Sequence, residues 1–255
     1  MKFRMVFVAL IAALLVVPVS MQPVPAWAGP TYNVGSTPTG VPFTFLDVKS
    51  GQIQGLMVDV IKAVGKEAGF EPKIEAVPFS ALIPSLTSNK IDIISAAMFA
   101  TPKRAQVVDF TRTVYSYGDA LFVPASDTKA YRTREDLKGY VVGAEAGTVF
   151  AENLKNSGLF KEVRVYTGIS DILRDVSLGR IQAGFGDAPI VKYELAHDKD
   201  FHVRIVNTYQ PVDVGHIAIA VRKGDTALLN QIDAALAKLE ANGTIDKIVD
   251  SWGLK

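Results

Sequence analysis

The feature that most limits what this 255-residue chain can fold into is an alternation of short apolar strands and amphipathic helices that runs, breaks and runs again. Tyr32 to Gly35 reads as a first strand. A loop containing Pro38, Gly40 and Pro42 ends in the alternating aromatics Phe43 and Phe45, and Ser50-Gly51 turns between two extended runs. Leu56, Val60, Val64 and Ala68 recur every four residues, which predicts a helix from Gly55 to Gly69 closed by glycine. Lys73 to Val77 reads as the next strand, and Ser80 as the cap of a helix carrying Leu82, Ile83 and Leu86. Ile91, Ile93 and Ile94 form the short β-branched run of a fully buried strand.

Asp119 to Pro124 then breaks the pattern as an extended run, read as a crossing. Thr133-Arg134-Glu135-Asp136 has the form of a capping box at the start of a short helix. The alternation restarts with strands at Val141-Val142, Val163 to Tyr166, Ile181 to Phe185 and Val203 to Val206. Helices are expected from Gly147-Thr148, from Ser170 to Leu178, and from near Pro189. Gly215 to Val221 reads as a return crossing. Asp225 caps a long helix with Leu228, Leu229, Ile232, Leu236 and Leu239 on one face, and Thr244 starts a last helix to Trp252.

Two α/β units with two crossings imply two lobes joined by two strands, each lobe a mixed, mostly parallel sheet flanked by helices. The boundaries drawn are residues 29–119 with 215–255 for lobe 1, and 120–214 for lobe 2.

Residues 1–28 have a different character. Lys2 and Arg4 precede an apolar stretch from Met5 to Val19, too short to span a bilayer comfortably, and Ala26-Trp27-Ala28 is an A-x-A cleavage pattern. The expectation is a Sec signal peptide cut after Ala28 and a mature, periplasmic chain from Gly29. Without Lys2 and Arg4 the chain carries 25 basic and 26 acidic side chains, so nothing in its charge attracts nucleic acid. Cysteine is absent and there are three histidines, which excludes thiol catalysis and leaves little for a zinc site. No phosphate-binding or dinucleotide motif is visible, and no cofactor is expected.

The most informative stretch is Asn89 to Phe110. It reads as a buried strand, a stop, and a helix start at Thr101-Pro102, with Arg104 in the first turn. A cation there opposes the helix dipole. An arginine beyond the end of a strand, where open α/β sheets bind ligands, looks aimed at an anion; the alternative is a solvated surface charge.

This stretch resembles the bacterial periplasmic solute-binding proteins that serve polar amino-acid ABC transporters, with their Lys/Arg-Ile/Val-Asp strand followed by Thr-Pro-x-Arg. Further motifs extend the resemblance over nearly the whole mature chain: Val141-Val142-Gly143 with Gly147-Thr148, Gly179-Arg180-Ile181-Gln182-Ala183 with Asp187, Ile219 to Asp225, and Gly243 to Ile248. It implies the two-lobed type II periplasmic-binding-protein fold, a monomer, an inner-membrane ABC permease as partner, and no enzymatic activity.

The resemblance assigns Arg104 to a ligand carboxylate and Asp187 to a ligand ammonium, one in each lobe. Gly147-Thr148 supplies a second anion contact, with an ordinary turn and cap as the alternative. Asp187 has the alternative of capping the Pro189 helix. Ala97 lies in the same turn as Phe99, and Phe43 either lines the cleft or fills core. Several positions depart from the family pattern. Thr37 stands where an aspartate is common, Gly40 where an aromatic is common, Phe99 and Val149 where hydroxyls are common, and Glu145 at a pocket position usually neutral or basic. The departures fit an aromatic, heterocyclic or N-substituted zwitterion, including the ectoine type, or an amino acid whose cationic tail reaches Glu145. A second reading is an exported cyclohexadienyl (prephenate/arogenate) dehydratase, a class that also resembles this family, with Glu145 or Glu194 as general acid.

Overall fold

A computed structural model of the chain describes residues 29–254. The signal peptide expected over residues 1–28 lies outside the described residues.

The first strand, β1 (Thr31–Ser36), is followed by a small antiparallel meander of β2 (Thr39–Gly40), β3 (Thr44–Asp47) and β4 (Gln52–Gln54). Helix α1 (Leu56–Ala68) buries Leu56, Val60 and Val64 as its spacing predicts, and ends on Gly69 at φ +80°, a left-handed conformation that suits glycine. Strand β5 (Glu71–Ala76) and helix α2 (Leu82–Thr87) follow. Ser80 caps nothing. It lies inside a single 3₁₀ turn, Phe79–Ala81, that begins at Pro78 and runs directly into α2. Strand β6 reduces to Ile93–Ile94, both fully buried.

After Thr101-Pro102 the expected helix is one 3₁₀ turn, Arg104–Gln106. The Thr101 hydroxyl does accept the Arg104 N–H, at 3.2 Å. The β-branched run from Val107 then pulls the chain into the 17-residue strand β7 (Val108–Pro124), so local helix signals yield to strand pairing. Beyond it, the expected capping box is a 3₁₀ turn, Glu135–Leu137, in which Asp136 accepts the N–H groups of Arg132 and Thr133 at 2.7 and 3.0 Å. The remaining elements are β8 (Val141–Glu145), α3 (Val149–Asn156), β9 (Glu162–Tyr166), α4 (Ile169–Ser177), β10 (Ala183–Asp187), α5 (Ala188–His197), β11 (Val203–Ile205), β12 (Val214–Arg222), α6 (Thr226–Ala241) and α7 (Thr244–Ser251). Asp225 caps α6 by accepting the Leu228 N–H at 3.2 Å.

The main sheet has the order β5-β1-β6-β12-β7-β10-β8-β9, with β11 also on β7. β1 runs parallel to β5 and β6, and β8 parallel to β9 and β10; β7 and β12 run against their neighbours. This is the two-lobed α/β architecture with mixed sheets, but not the mostly parallel pairing expected: β7 and β12 run antiparallel to their neighbours, so parallel and antiparallel pairings in the main sheet are equal in number. β7 changes partner along its length. Val108 to Gly118 pair with β12, while Asp119 to Phe122 pair with β10 and Phe122 to Pro124 with β11. Asp119 to Pro124, expected to be the crossing itself, is therefore the part of β7 already joined to the second half of the sheet. One large apolar cluster passes from Val34 and Phe43 through Phe99 and Tyr117 to Phe122 and Phe185, and a smaller one sits beneath α2.

Candidate functional site

At the change of partner along β7, Thr37, Phe43, Ala97, Phe99, Arg104, Glu145, Thr148 and Asp187 all line one cavity. It holds about 460 Å³ outside protein atoms, part of it open to solvent. Thr37 directly follows β1, the turn between β2 and β3 delivers Phe43, and the segment after β6 delivers Ala97, Phe99 and Arg104. The ends of β8 and β10 deliver Glu145 and Asp187. Each of these strands ends at the cavity, which is where a sheet of this kind leaves its ligand crevice.

Arg104 is held from two directions. Its Nη1 donates to the Phe99 carbonyl at 2.8 Å and its Nη2 to the Gly147 carbonyl at 3.0 Å. Its guanidinium also lies 5.5 Å from the Phe79 ring centroid. Burial lowers its pKa from the ordinary arginine value, against Tyr117 and Asp187, which raise it. Gly147 does not line the cavity: its carbonyl steadies Arg104, and its φ of +80° turns the chain into α3. A Cβ there would meet the Ser80 Cα at 2.8 Å, so glycine is needed for close approach as well as for conformation.

The Thr148 hydroxyl accepts the Ala151 N–H at 3.2 Å and donates to the Glu145 carbonyl at 2.7 Å. It is thereby committed to capping α3, the alternative reading of the Gly147-Thr148 pair, and its donor is not free for a ligand anion. Thr37 shares a 2.6 Å hydrogen bond with Thr44. Ala97 takes φ +52°, unusual for a residue with a Cβ and worth on the order of 1 kcal/mol or more of strain.

Asp187 occupies the N-cap position of α5 but its side chain caps nothing. It accepts instead from the Tyr117 hydroxyl at 2.5 Å. Burial pushes the Asp187 pKa up to about 6, although the Tyr117 bond and Arg104 oppose this. The Tyr117 hydroxyl is itself pushed well up, by burial first and Asp187 second. Glu145 is 8% exposed, and its pKa is pushed well above the carboxylate range by burial and then by the charge of Asp187.

Phe99 does both things that the sequence leaves open. It lines the cavity, yet is 6% exposed, 4.9 Å from the Tyr117 ring and 5.7 Å from Phe150. Its ring lies where a Gly215 Cβ would stand, 2.1 Å away, so the glycine that starts the return run makes room for it. Phe43, also on the wall, is stacked 5.1 Å from Tyr117.

Tyr117 is the polar cavity residue that sequence reasoning misses. It sits on β7 beside Gly118, and the alternation of Tyr115 and Tyr117 is its only local signal. Phe79, Phe150 and Ile190 complete the apolar wall. Glu194, the other carboxyl considered as a general acid, takes a 3.1 Å hydrogen bond from Ser170 and does not line the cavity. Among the described residues no cluster of metal-ligating side chains occurs.

With this geometry in hand, comparison with known proteins is direct. The sequence model of the bacterial extracellular solute-binding proteins, family 3, matches residues 32–255. The chain is 32% identical over 228 residues to the ABC transporter arginine-binding protein 1 of Escherichia coli K12, covering 89% of this chain and 92% of that one. It is 30% identical over 229 residues to the histidine-binding periplasmic protein of the same organism, covering 86% of each. Among solved structures, an ancestral arginine-binding protein bound to arginine superposes with a TM-score of 0.79 at 31% identity, over 87% of this chain and 97% of that one. In sequence and fold alike, this chain belongs to the bacterial extracellular solute-binding proteins, family 3.

Proposed function

We propose that this protein is the periplasmic binding component of an amino-acid ABC importer, and that it holds an amino acid by its two backbone charges between two closing lobes. The observation that carries this reading is that Arg104, in the 3₁₀ turn before β7, and Asp187, at the end of β10, face the same cavity. A guanidinium donates two parallel N–H bonds to a carboxylate. A buried carboxylate with one donor, Tyr117, keeps room for an ammonium. The change of partner along β7 at Asp119 supports lobes bounded near residues 119 and 215. Closure is then favoured because the ligand makes contacts in the closed form that neither lobe offers alone. The mature protein works as a monomer and delivers its ligand to a membrane permease. That related proteins bind arginine and histidine, by their names, supports an amino-acid ligand and a binding protein rather than an enzyme.

Isothermal titration against the standard amino acids, their D forms, ectoine, betaine and prephenate tests the reading. It expects one site per chain, a free carboxylate and ammonium on the ligand, and no turnover of prephenate. Dehydration of prephenate, or binding of none of the amino acids, overturns it.

The site also carries a pH dependence. The titratable groups near Asp187 are Arg104, Tyr117 and Glu145 in the cavity and Asp119 on the neighbouring strand. A bound ammonium favours the ionised carboxylate, so binding expels a proton below about pH 6, and affinity falls up to about tenfold per pH unit there. Affinity at pH 5 equal to that at pH 7.5 would remove Asp187 from the ligand. In the ligand-free protein the sign is opposite. The folded pKa of about 6 stands above the ordinary 3.8, so the native state holds more protons between these values and loses stability as pH rises through them. Asp187→Asn is therefore expected to raise the ligand-free melting temperature at pH 7.5 and to change it little at pH 4.

A further inference from the structure

Glu145 is the buried group that the reading above leaves unused. Arg104 has two carbonyl partners and Asp187 has Tyr117. No described residue donates a hydrogen bond to the Glu145 carboxyl or forms an ion pair with it, although it is more than nine-tenths buried and lines the cavity. Among the described residues no fully buried side-chain oxygen lacks a partner, so the Glu145 carboxyl reaches the open space of the cavity, where a carboxylate among apolar rings is disfavoured until a partner arrives. Elsewhere in the chain the buried carboxylates Asp119 and Asp213 are each met by Arg134 and further donors. The exception faces a cavity, where an incoming molecule can supply the partner.

The charges in the cavity sharpen this. Its wall carries one guanidinium, Arg104, and two carboxyls, Glu145 and Asp187. An amino-acid backbone brings one carboxylate and one ammonium, which match Arg104 and Asp187 and leave one negative charge over. A ligand with a second cationic group closes the balance. The rest of the wall suits such a side chain: Phe43, Phe79, Phe99 and Phe150 offer apolar faces to an aliphatic stem and π-faces to a guanidinium or ammonium.

We infer that Glu145 is the specificity-determining residue of this site, anchoring the side-chain cation of an amino acid with a basic side chain such as arginine, ornithine or lysine. The inference rests on the backbone reading of Arg104 and Asp187, and it adds what that reading leaves open, the chemistry beyond the α-carbon.

The test compares L-arginine with L-citrulline, which has nearly the same shape and a neutral end group, by titration calorimetry at pH 7.5. Ornithine and lysine are set against norleucine in the same way. The wild-type protein is expected to bind arginine about 100-fold more tightly than citrulline, from the usual strength of a desolvated charge pair. In Glu145→Gln that ratio is expected to collapse at least about tenfold, because the amide keeps the shape and removes the charge. The same substitution is expected to raise the ligand-free melting temperature at pH 7.5, since it removes an unpartnered buried charge; this shows that the variant is folded. Citrulline bound as tightly as arginine by the wild type, tight ectoine binding without binding of any basic amino acid, or an arginine-to-citrulline ratio unchanged in Glu145→Gln overturns the inference. The backbone reading has its own control in Arg104→Ala. If that variant loses neutral and basic amino acids alike while the wild type does not discriminate between them, only the role of Glu145 falls. If no amino acid binds the wild type, both fall.

Discussion

Arg104→Ala is expected to lose amino-acid binding by about 30- to 5,000-fold while melting within a few degrees of the wild type, corresponding to the roughly 2–5 kcal/mol at stake when one partner of a buried charge pair is removed. The two halves of this expectation have different origins. Only two of the five guanidinium N–H groups are spent inside the protein, on the Phe99 and Gly147 carbonyls. The others are available to a ligand carboxylate, and among the described residues no other cation lines the cavity to replace them. The fold loses less, because burial already opposes this charge and the bond it gives up to the Gly147 carbonyl is a solvent-exposed one. Arg104→Lys separates charge from shape. It keeps the cation but not the fork, so its affinity should fall between those of the wild type and the alanine variant. Calorimetry paired with thermal melts checks both halves. Affinity within threefold of wild type would take Arg104 out of the site, and a collapsed melting transition would make it a structural residue.

The largest effect on stability is expected at Arg134, which does not line the cavity. Arg134 is 7% exposed and its Nη2 donates to Asp119 Oδ2 at 2.9 Å and to Asp213 Oδ2 at 2.5 Å. Asp119, on β7, also accepts from Tyr209 at 2.8 Å and from the N–H groups of Val212 and Asp213 at 2.9 and 3.1 Å. Asp213 accepts in addition from Asn153 at 2.6 Å. The cluster thus fastens the chain at both points where it passes between the halves of the sheet, Asp119 within β7 and Asp213 just before β12. A buried ion cluster contributes modestly overall, but breaking one from a single side strands the remaining charges. Arg134→Met leaves two buried carboxylates without their cation. The expected loss is about 3–5 kcal/mol, or roughly 6–20 °C in melting temperature for a chain of this size. Adding Asp119→Asn and Asp213→Asn should recover much of it, since the amide oxygen at position 119 still accepts the Val212 and Asp213 N–H groups and its NH2 donates to the Tyr209 hydroxyl oxygen. A single variant that melts like the wild type, or a triple variant no better than the single, contradicts this account.

What the sequence makes legible follows the range of the forces involved. Helix α1 with its Gly69 stop, and the Asp225 cap of α6, are set by residues within a turn or two of one another, and both stand where the spacing puts them. Arg104 and Asp187 are readable because each follows a strand end in a recognisable motif. The Thr101-Pro102 helix start misleads because its capping bond forms but strand pairing takes the chain from Val107 onward. Tyr117 stays hidden because its meaning comes from Asp187, seventy positions away. The Arg134 cluster is hidden for the same reason. Its residues look locally like part of a cap and the ends of two extended runs, and only the fold brings positions 119, 134 and 213 together. Glu145 is visible in sequence as a departure from the family pattern, but its lack of a partner is a fact of three dimensions.

The account's central claim, that a free amino acid is held by both backbone charges, is tested most directly by thermal melts of the purified protein with each amino acid and with the corresponding decarboxylated amine. A ligand that binds only the folded state at 100 times its dissociation constant adds about 2.7 kcal/mol, or roughly 5–10 °C for a chain of this size. The account predicts a saturable rise of that order with at least one L-amino acid and none with its amine. An amine that stabilises the protein as well as its parent amino acid, or a panel in which no amino acid does so, would contradict it.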